Sequence, residues 1–119
     1  MLKVKGESKV AGVTFGQRQG MLANLMKLEG TGYKVYLTLR REKKNPNDSN
    51  AILVIGHCDT VHRHVPIGYV PRELAKELAP IMDAKQKIWV YEKELGYHRF
   101  NGKRILNCEF KYAYYKETV

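Results

Sequence analysis

The sequence predicts a mostly β fold of the α+β class, a small six-stranded OB-like barrel that carries two helices. Six short segments have apolar patterns typical of strands, and two others have the one-sided apolar stripe typical of helices. The last third of the chain is a long hairpin with bent arms, which favours closure into a barrel. Because 119 residues are enough for one core, we expect a single domain over residues 1–119, in the order β-α-β-β-β-α-β-β.

The first strand is expected at Lys9–Phe15, where apolar side chains alternate along the chain. Residues 1–8 before it are polar and are expected to form a flexible or edge segment. A helix is expected over about Gln17–Leu28, because its apolar residues recur on one face, and Gly30 is well placed to end it.

Three strands and a second helix are expected next. Tyr33–Glu42 alternates between apolar and polar side chains, whereas Ala51–Ile55 is continuously apolar, as in a strand buried on both faces. Val65–Val70 is expected to be a short edge strand, since its proline cannot donate a ladder hydrogen bond. Pro71 then opens a helix with a buried apolar face, and Pro80 is expected to end or kink that helix.

The last two strands are expected at Gln86–Phe100 and Lys103–Tyr115, on either side of an Asn-Gly pair that favours a tight hairpin turn. Apolar residues of the first arm change parity partway along it. This change predicts a β-bulge near Glu92 to Glu94.

The composition is strongly basic, with 21 lysine and arginine residues against 12 aspartate and glutamate residues and a formal net charge of +9. Such an excess attracts polyanions, among which nucleic acid is foremost. The longest apolar runs are about a strand long, so no membrane span or signal peptide is expected. Cys58 and Cys108 are accordingly expected to be free thiols, and the compartment to be the cytoplasm or the nucleoid within it.

A polar turn stands out between the second and third predicted strands. Basic residues of Arg40–Lys44 run directly into Asn45–Asn50, and an apolar strand follows. Pro46 fixes one φ angle, and Asn and Asp side chains can hydrogen-bond their own backbone, so we expect a rigid turn. The turn places Asp48 beside positive charge, which suits a ligand that is mostly phosphate but ends in a hydroxyl. An ordinary charged loop between two strands is the alternative.

Histidine and cysteine are concentrated after the third predicted strand, at His57, Cys58, His62 and His64. Zinc accepts such ligands, but structural zinc sites usually combine two closely spaced ligand pairs from two segments. Only one cysteine and no second pair is present here. Surface histidines are therefore the preferred interpretation, zinc is an alternative, and no cofactor is expected.

Three stretches, in this order along the chain, together resemble the HIRAN domain family. They are Gly12–Gln19, which reads GVTFGQRQ, Leu39–Ile52, which reads LRREKKNPNDSNAI, and Ile67–Ala75, which reads IGYVPRELA. The family occurs fused to helicase-like proteins and as small free-standing proteins. The resemblance implies an OB-like barrel that holds the 3′ end of single-stranded DNA.

The resemblance also implies roles for individual residues. In the family, an aspartate of the Asn-Pro-x-Asp turn recognises the terminal 3′-hydroxyl, and Asp48 holds that position here. A carboxylate accepts a strong hydrogen bond from a hydroxyl but repels a phosphate, so it selects a free end. The family's rings that stack on terminal bases correspond to Phe15 and Tyr69. The cations expected to meet phosphates are Arg41, Lys43, Lys44 and Arg72.

The sequence departs from the family pattern within these stretches. Asn47, which belongs to the expected DNA-binding set, stands where the family usually has tyrosine. Thr14 stands where helicase-linked members have a basic residue, and Lys43 replaces the usual proline. Fewer rings and more cations shift binding toward the phosphate backbone, which makes it more dependent on salt.

The expected function is non-catalytic binding of single-stranded DNA, with recognition of a free 3′-hydroxyl end, in DNA repair or replication-fork processing. A helicase-like ATPase or a nuclease is the expected protein partner, because the chain has no Walker-type phosphate-binding loop of its own. A protein-interaction or assembly domain with a basic face is one alternative. A metal-dependent hydrolase or nuclease is another, although such chemistry needs clustered carboxylates and those of this sequence are scattered.

Overall fold

Six strands and two α-helices follow one another in the predicted order in a computed structural model that describes residues 2–117. A short 3-10 helix adds one turn between the third and fourth strands. The elements are β1 Leu2–Lys9, α1 Arg18–Gly30, β2 Tyr36–Arg41, β3 Ile52–Cys58, the 3-10 turn Asp59–Val61, β4 Arg63–Tyr69, α2 Arg72–Asp83, β5 Ile88–Phe100 and β6 Lys103–Lys116.

The strands form two antiparallel three-stranded sheets, in the orders β1-β6-β5 and β2-β3-β4. The predicted α+β class is therefore confirmed, with six strands and two helices in a barrel-like arrangement of two sheets. One cluster of buried side chains draws on both sheets and both helices. Its largest fully buried members include Phe110, Leu22, Leu25, Ile52, Ile67 and Leu78.

Close packing of α1 on the second sheet depends on a glycine in β3. A Cβ atom at Gly56 would lie 2.4 Å from Cδ1 of Leu25, well inside contact distance. The missing side chain thus lets the apolar face of α1 approach the sheet directly. Since Leu25 is fully buried, this contact belongs to the main core.

The first strand lies earlier in the chain than predicted. The expected strand at Lys9–Phe15 is wrong, because β1 covers Leu2–Lys9 and pairs with β6 along its whole length. Residues 1–8 were expected to be flexible or at an edge, and the described part of them is an edge strand. Gly12 and Gly16 have φ angles of +71° and +54°, which are turn conformations that a continuing strand does not accept.

Other boundaries agree with the predicted elements to within a few residues. The second helix continues beyond Pro80 to Asp83, so the proline does not end it. The register of β5 against β6 shifts between Val90 and Glu92, which confirms a bulge just before the expected place. Among the described residues, no helix is both long and apolar enough to cross a membrane.

The two cysteines are buried in different sheets. Cys58 ends β3 and Cys108 lies in β6, and the side chains of both are fully buried free thiols, as predicted. Burial raises the pKa of Cys108 to about 12. The Cys108 thiol is therefore protonated at neutral pH.

Candidate nucleic-acid interface

The turn between β2 and β3 is held by its own side chains. Oδ1 of Asn45 accepts hydrogen bonds from the backbone N–H groups of Asn47 at 2.9 Å and Asp48 at 3.2 Å. Oδ1 of Asp48 in turn accepts from the N–H of Asn50 at 2.9 Å. These Asx-type bonds fix the backbone where no strand ladder can, so the expected rigid polar turn is present.

Asp48 sits at the edge of this turn next to a cation from α2. Nε of Arg72 lies 3.6 Å from Oδ2 of Asp48, and Nη2 of Arg72 donates to the carbonyl oxygen of Asn47 at 3.1 Å. The side chain of Arg72 is 69% exposed, whereas that of Asp48 is 21% exposed. One carboxylate oxygen therefore stabilises the turn, and the other is directed toward an exposed guanidinium.

Arg41 is engaged within the protein. Its Nε and Nη2 donate to the two carboxylate oxygens of Asp83 at 2.9 and 3.1 Å. Nη1 and Nη2 also donate to the carbonyl oxygens of Ala51 at 2.9 Å and Ser49 at 3.1 Å. Arg41 lowers the pKa of the Asp83 carboxyl, chiefly through these hydrogen bonds. Arg41 thus ties the end of the turn to the last turn of α2, which leaves little donor capacity for a phosphate.

The lysines of the same run are open to solvent. Lys43 is 67% exposed and its Nζ lies 3.6 Å from Asp83, while Lys44 is also exposed. Residues 41–46 line a shallow concavity of about 600 Å³. Within this run, Arg41, Lys43 and Lys44 were expected to meet phosphates. The two lysines are the accessible ones.

Tyr69 connects β4 to the turn through a carboxylate. Its hydroxyl donates to Oε1 of Glu42 at 2.6 Å, and Nδ2 of Asn45 donates to the same oxygen at 3.1 Å. The hydrogen bond from Tyr69 lowers the pKa of Glu42, and the same bond raises the pKa of Tyr69. The ring of Tyr69 is thereby held in one position beside the turn.

Arg18 is a member of the site for which the sequence analysis gave no role. Its guanidinium carbon lies 5.3 Å from the centroid of the Tyr69 ring and 5.9 Å from that of Phe15. Nη1 of Arg18 donates to the carbonyl oxygen of Gly12 at 2.7 Å. Phe15 itself is 71% exposed. The sequence did hold a signal for Arg18, because it is a cation three residues after an aromatic residue in the first family stretch.

A glycine lets the residue just before the first family stretch bond to the third stretch. Ala11 and Tyr69 exchange two backbone hydrogen bonds of 2.7 and 2.9 Å. A Cβ at Gly68 would lie 2.3 Å from the carbonyl oxygen of Ala11, which no side chain could tolerate. All three stretches therefore meet at one place, called here the Tyr69 surface. Its members are Phe15, Arg18, Glu42, Asp48, Tyr69 and Arg72.

The histidine-rich hairpin lies apart from this surface. Nδ1 of His57 is 2.7 Å from Nδ1 of His64, whereas Cys58 is fully buried and His62 is exposed in a left-handed turn conformation. Burial, followed by the charge of His64, lowers the pKa of His57. Neighbouring residues of a strand point to opposite faces, which separates the thiol from the imidazoles. Within residues 2–117, no three His, Cys, Asp or Glu residues are grouped as metal ligands.

The Tyr69 surface combines aromatic rings, cations and one carboxylate. Phe15 is exposed for stacking on bases, and the half-buried ring of Tyr69 shares Arg18 with it. The exposed cations Lys43 and Arg72 lie at the neighbouring turn and helix, where they can contact phosphates. Asp48 supplies a carboxylate that can accept a hydrogen bond from a hydroxyl. Asn47 contributes no ring, and its side chain is exposed on the same turn.

Comparisons with known proteins point to one family and one fold. The family model of the HIRAN domain matches residues 7–109. A crystal structure of a structural-genomics target protein from Lactobacillus plantarum is 21% identical, with a TM-score of 0.51, and covers 92% of this chain and 96% of its own. At that identity the likeness shows a shared fold. No curated protein matches the chain.

Proposed function

The chain belongs to the HIRAN domain family, and we propose that it binds single-stranded DNA through the Tyr69 surface, with preference for a free 3′-hydroxyl end. The family is a module for binding single strands and their 3′ ends. The observation that supports the proposal most is the meeting of three distant stretches at one surface. There Asp48 lies 3.6 Å from the exposed Arg72. Arg18 lies beside the rings of Phe15 and Tyr69.

In this proposal Asp48 discriminates between strand ends. Its Oδ1 is occupied by the N–H of Asn50, so Oδ2 is the oxygen left to accept the terminal hydroxyl. A terminal phosphate would be repelled at the same point. Arg72, only 3.6 Å from Oδ2, is placed to move toward the last internal phosphate when the hydroxyl takes its position.

Stacking is proposed to involve Phe15 and Tyr69, with Arg18 between them as a flat cation. Base stacking on such rings contributes roughly 1–3 kcal/mol per base. Because Asn47 provides no further ring, Lys43 and Lys44 carry a larger share of the affinity through phosphates. Binding should therefore weaken steeply as salt increases.

The decisive experiment compares labelled single strands that end in a 3′-hydroxyl or a 3′-phosphate, by fluorescence anisotropy at fixed salt. Wild type should prefer the hydroxyl by about tenfold or more, as expected for one hydrogen bond to a charged group. Asp48→Asn keeps an oxygen for the N–H of Asn50 but removes the charge, so the preference should disappear. Equal affinity of wild type for both ends would overturn end recognition.

We also propose that the domain is a recruitment module and has no catalytic activity or cofactor of its own. Its place would be in repair or fork processing in the cytoplasm or nucleoid, beside a helicase-like ATPase or a nuclease. Family members fused to helicase-like proteins support this arrangement. Incubation of labelled single strands with Mg²⁺ or Mn²⁺ should leave them intact, and protein-dependent cleavage would contradict the proposal.

A further inference from the structure

The outer face of the sheet β1-β6-β5 carries a second group of rings and cations. Inward-facing residues of this sheet, such as Tyr114 and Ile88, pack against the core. The neighbouring positions face outward, and one cross-strand row there is Lys5–Ala113–Trp89. These side chains surround a cavity of about 310 Å³, called here the aromatic slot. It is lined by Lys3, Lys5, Trp89, Tyr91, Ala113 and Tyr115.

The rings of the slot are large and only partly covered. Trp89 is 37% exposed, Tyr91 49% and Tyr115 43%. The rings of Trp89 and Tyr115 meet edge to face at 5.7 Å between centroids. Ala113 lies in the row between β1 and β5, where its small side chain leaves a gap beside the rings. The gap is at the lower end of the size range of ligand pockets, roughly 300–1,000 Å³.

The cations beside these rings have no ion-pair partner among residues 2–117. Nζ of Lys87 lies 5.1 Å from the centroid of the Trp89 ring. In residues 2–117, no carboxylate oxygen lies within 4.0 Å of the ammonium groups of Lys3, Lys5 or Lys87. The slot therefore offers apolar ring surface inside a field of positive charge, which favours a ligand with both flat rings and negative charge.

A band of carboxylates separates the slot from the Tyr69 surface. Opposite Glu7 of β1, Lys111 of β6 lies 3.8 Å from Glu7 and 3.0 Å from Glu92 of β5. The next row places Glu109 opposite Glu94. Along the chain, the band lies between Lys5 and Ala11, the residue that bridges to Tyr69. Lys5 and Ala11 are roughly 20 Å apart at about 3.3 Å per residue. These rows hold four exposed carboxylates against two lysines, Lys9 and Lys111, so the band is net negative. One continuous strand would have to cross it, so the two surfaces are suited to separate segments.

We propose that the aromatic slot is a second binding site for single-stranded nucleic acid, independent of the Tyr69 surface. Bases stack on the exposed rings, and the neighbouring phosphates meet the three lysines. An acidic peptide would use the lysines alone and leave the rings exposed to water. With both sites occupied, one protein molecule holds two separate segments, which goes beyond recognition of one strand end.

Trp89 is the sole tryptophan, so its fluorescence reports on the slot directly. Titration with oligodeoxythymidylate at low salt should quench Trp89 in wild type, and equally in Asp48→Asn and Phe15→Ala. The double variant Lys3→Gln/Lys5→Gln should weaken this quenching and lower its salt slope by about two. The double variant Lys27→Gln/Lys76→Gln, which removes the same charge from exposed positions on the helices, should quench as wild type does.

Three results would overturn the second site. One is binding by anisotropy with no change in Trp89 fluorescence. Another is equal quenching by poly-glutamate, which would identify an acidic-peptide surface. A third is a change in fluorescence with protein concentration alone, which would identify self-association. A fourth possible result is that wild type is quenched at Trp89 and yet binds 3′-hydroxyl and 3′-phosphate ends equally. That result would count against the proposed function and support the second site.

Discussion

Neighbouring cations in one run take different roles because their surroundings differ. Arg41 is 12% exposed and donates to a carboxylate and two carbonyl oxygens, whereas Lys43 is 67% exposed and has a single ion pair, 3.6 Å from Asp83. The planar guanidinium can bind all these acceptors at once, which an ammonium cannot do. Arg41 therefore supports the turn, and Lys43 is available to a ligand.

Arg41→Lys should reduce the free energy of unfolding by about 1–3 kcal/mol, because the Asp83 carboxylate, one half-buried carbonyl and one exposed carbonyl lose a charged donor that binds all of them. DNA affinity should also fall, since the turn that carries Asp48 loses one of its two connections to α2 and keeps only that through Arg72. Urea unfolding measures the first effect. Lys43→Gln is the control: it should lower DNA affinity but leave stability nearly unchanged, and the reverse pattern would contradict these roles.

The bond between Tyr69 and Glu42 should make stability depend on pH. Because the folded pKa of Glu42 is below its ordinary value of 4.5, the contribution is present above pH 4.5. It is lost as the pH falls through the folded pKa. Tyr69→Phe should therefore be less stable than wild type at neutral pH, with a smaller difference well below pH 4.5. Urea unfolding at several pH values tests this, with exposed Tyr33→Phe as control; a constant difference would contradict it.

At the scale of the elements, one close approach assembles the Tyr69 surface. The residue after β1 bonds to β6, and Ala11 then bridges to the end of β4 where Gly68 leaves space for its carbonyl. The segment that follows turns at Gly12 and presents Phe15. The position of Phe15 thus depends on backbone contact between two elements that are far apart in sequence.

Gly68→Ala should destabilise the fold by roughly 1–3 kcal/mol or more, because the added Cβ meets a backbone oxygen at 2.3 Å that cannot easily move. DNA affinity should fall with it, as Phe15 is displaced. The control is Gly20→Ala in α1, where no atom lies within 4 Å and alanine should stabilise the helix by about 0.5–1 kcal/mol. Thermal unfolding and anisotropy measure both; an unaffected Gly68→Ala would refute the close contact.

The sequence pattern was sufficient to predict most helices and strands, because the apolar periodicity of β2, β3 and the helices reflects which side chains are buried. It failed for β1, because the outward face of an edge strand is polar and its alternation is weak. The charged turn already pointed to Asp48, whereas Phe15 and Tyr69 came only from the resemblance to a family. The engagement of Arg41 with Asp83 and the position of Arg18 between two rings depend on tertiary contacts, which no local pattern contains.

At the scale of the whole molecule, two sheets share a single buried cluster. Side chains from β3 and β6 meet in it, together with both helices, so neither sheet has a core of its own. A chain of this size with one core usually unfolds in a single cooperative step. The binding surfaces, by contrast, lie on separate parts of the exterior.

The buried cysteines allow that cooperativity to be measured without a label. Cys58 belongs to one sheet and Cys108 to the other, and an alkylating reagent reaches neither until the structure opens. If the sheets open together, both thiols should be alkylated at the same rate, read peptide by peptide by mass spectrometry. Different rates would show that one sheet opens first, and the faster thiol would identify which one.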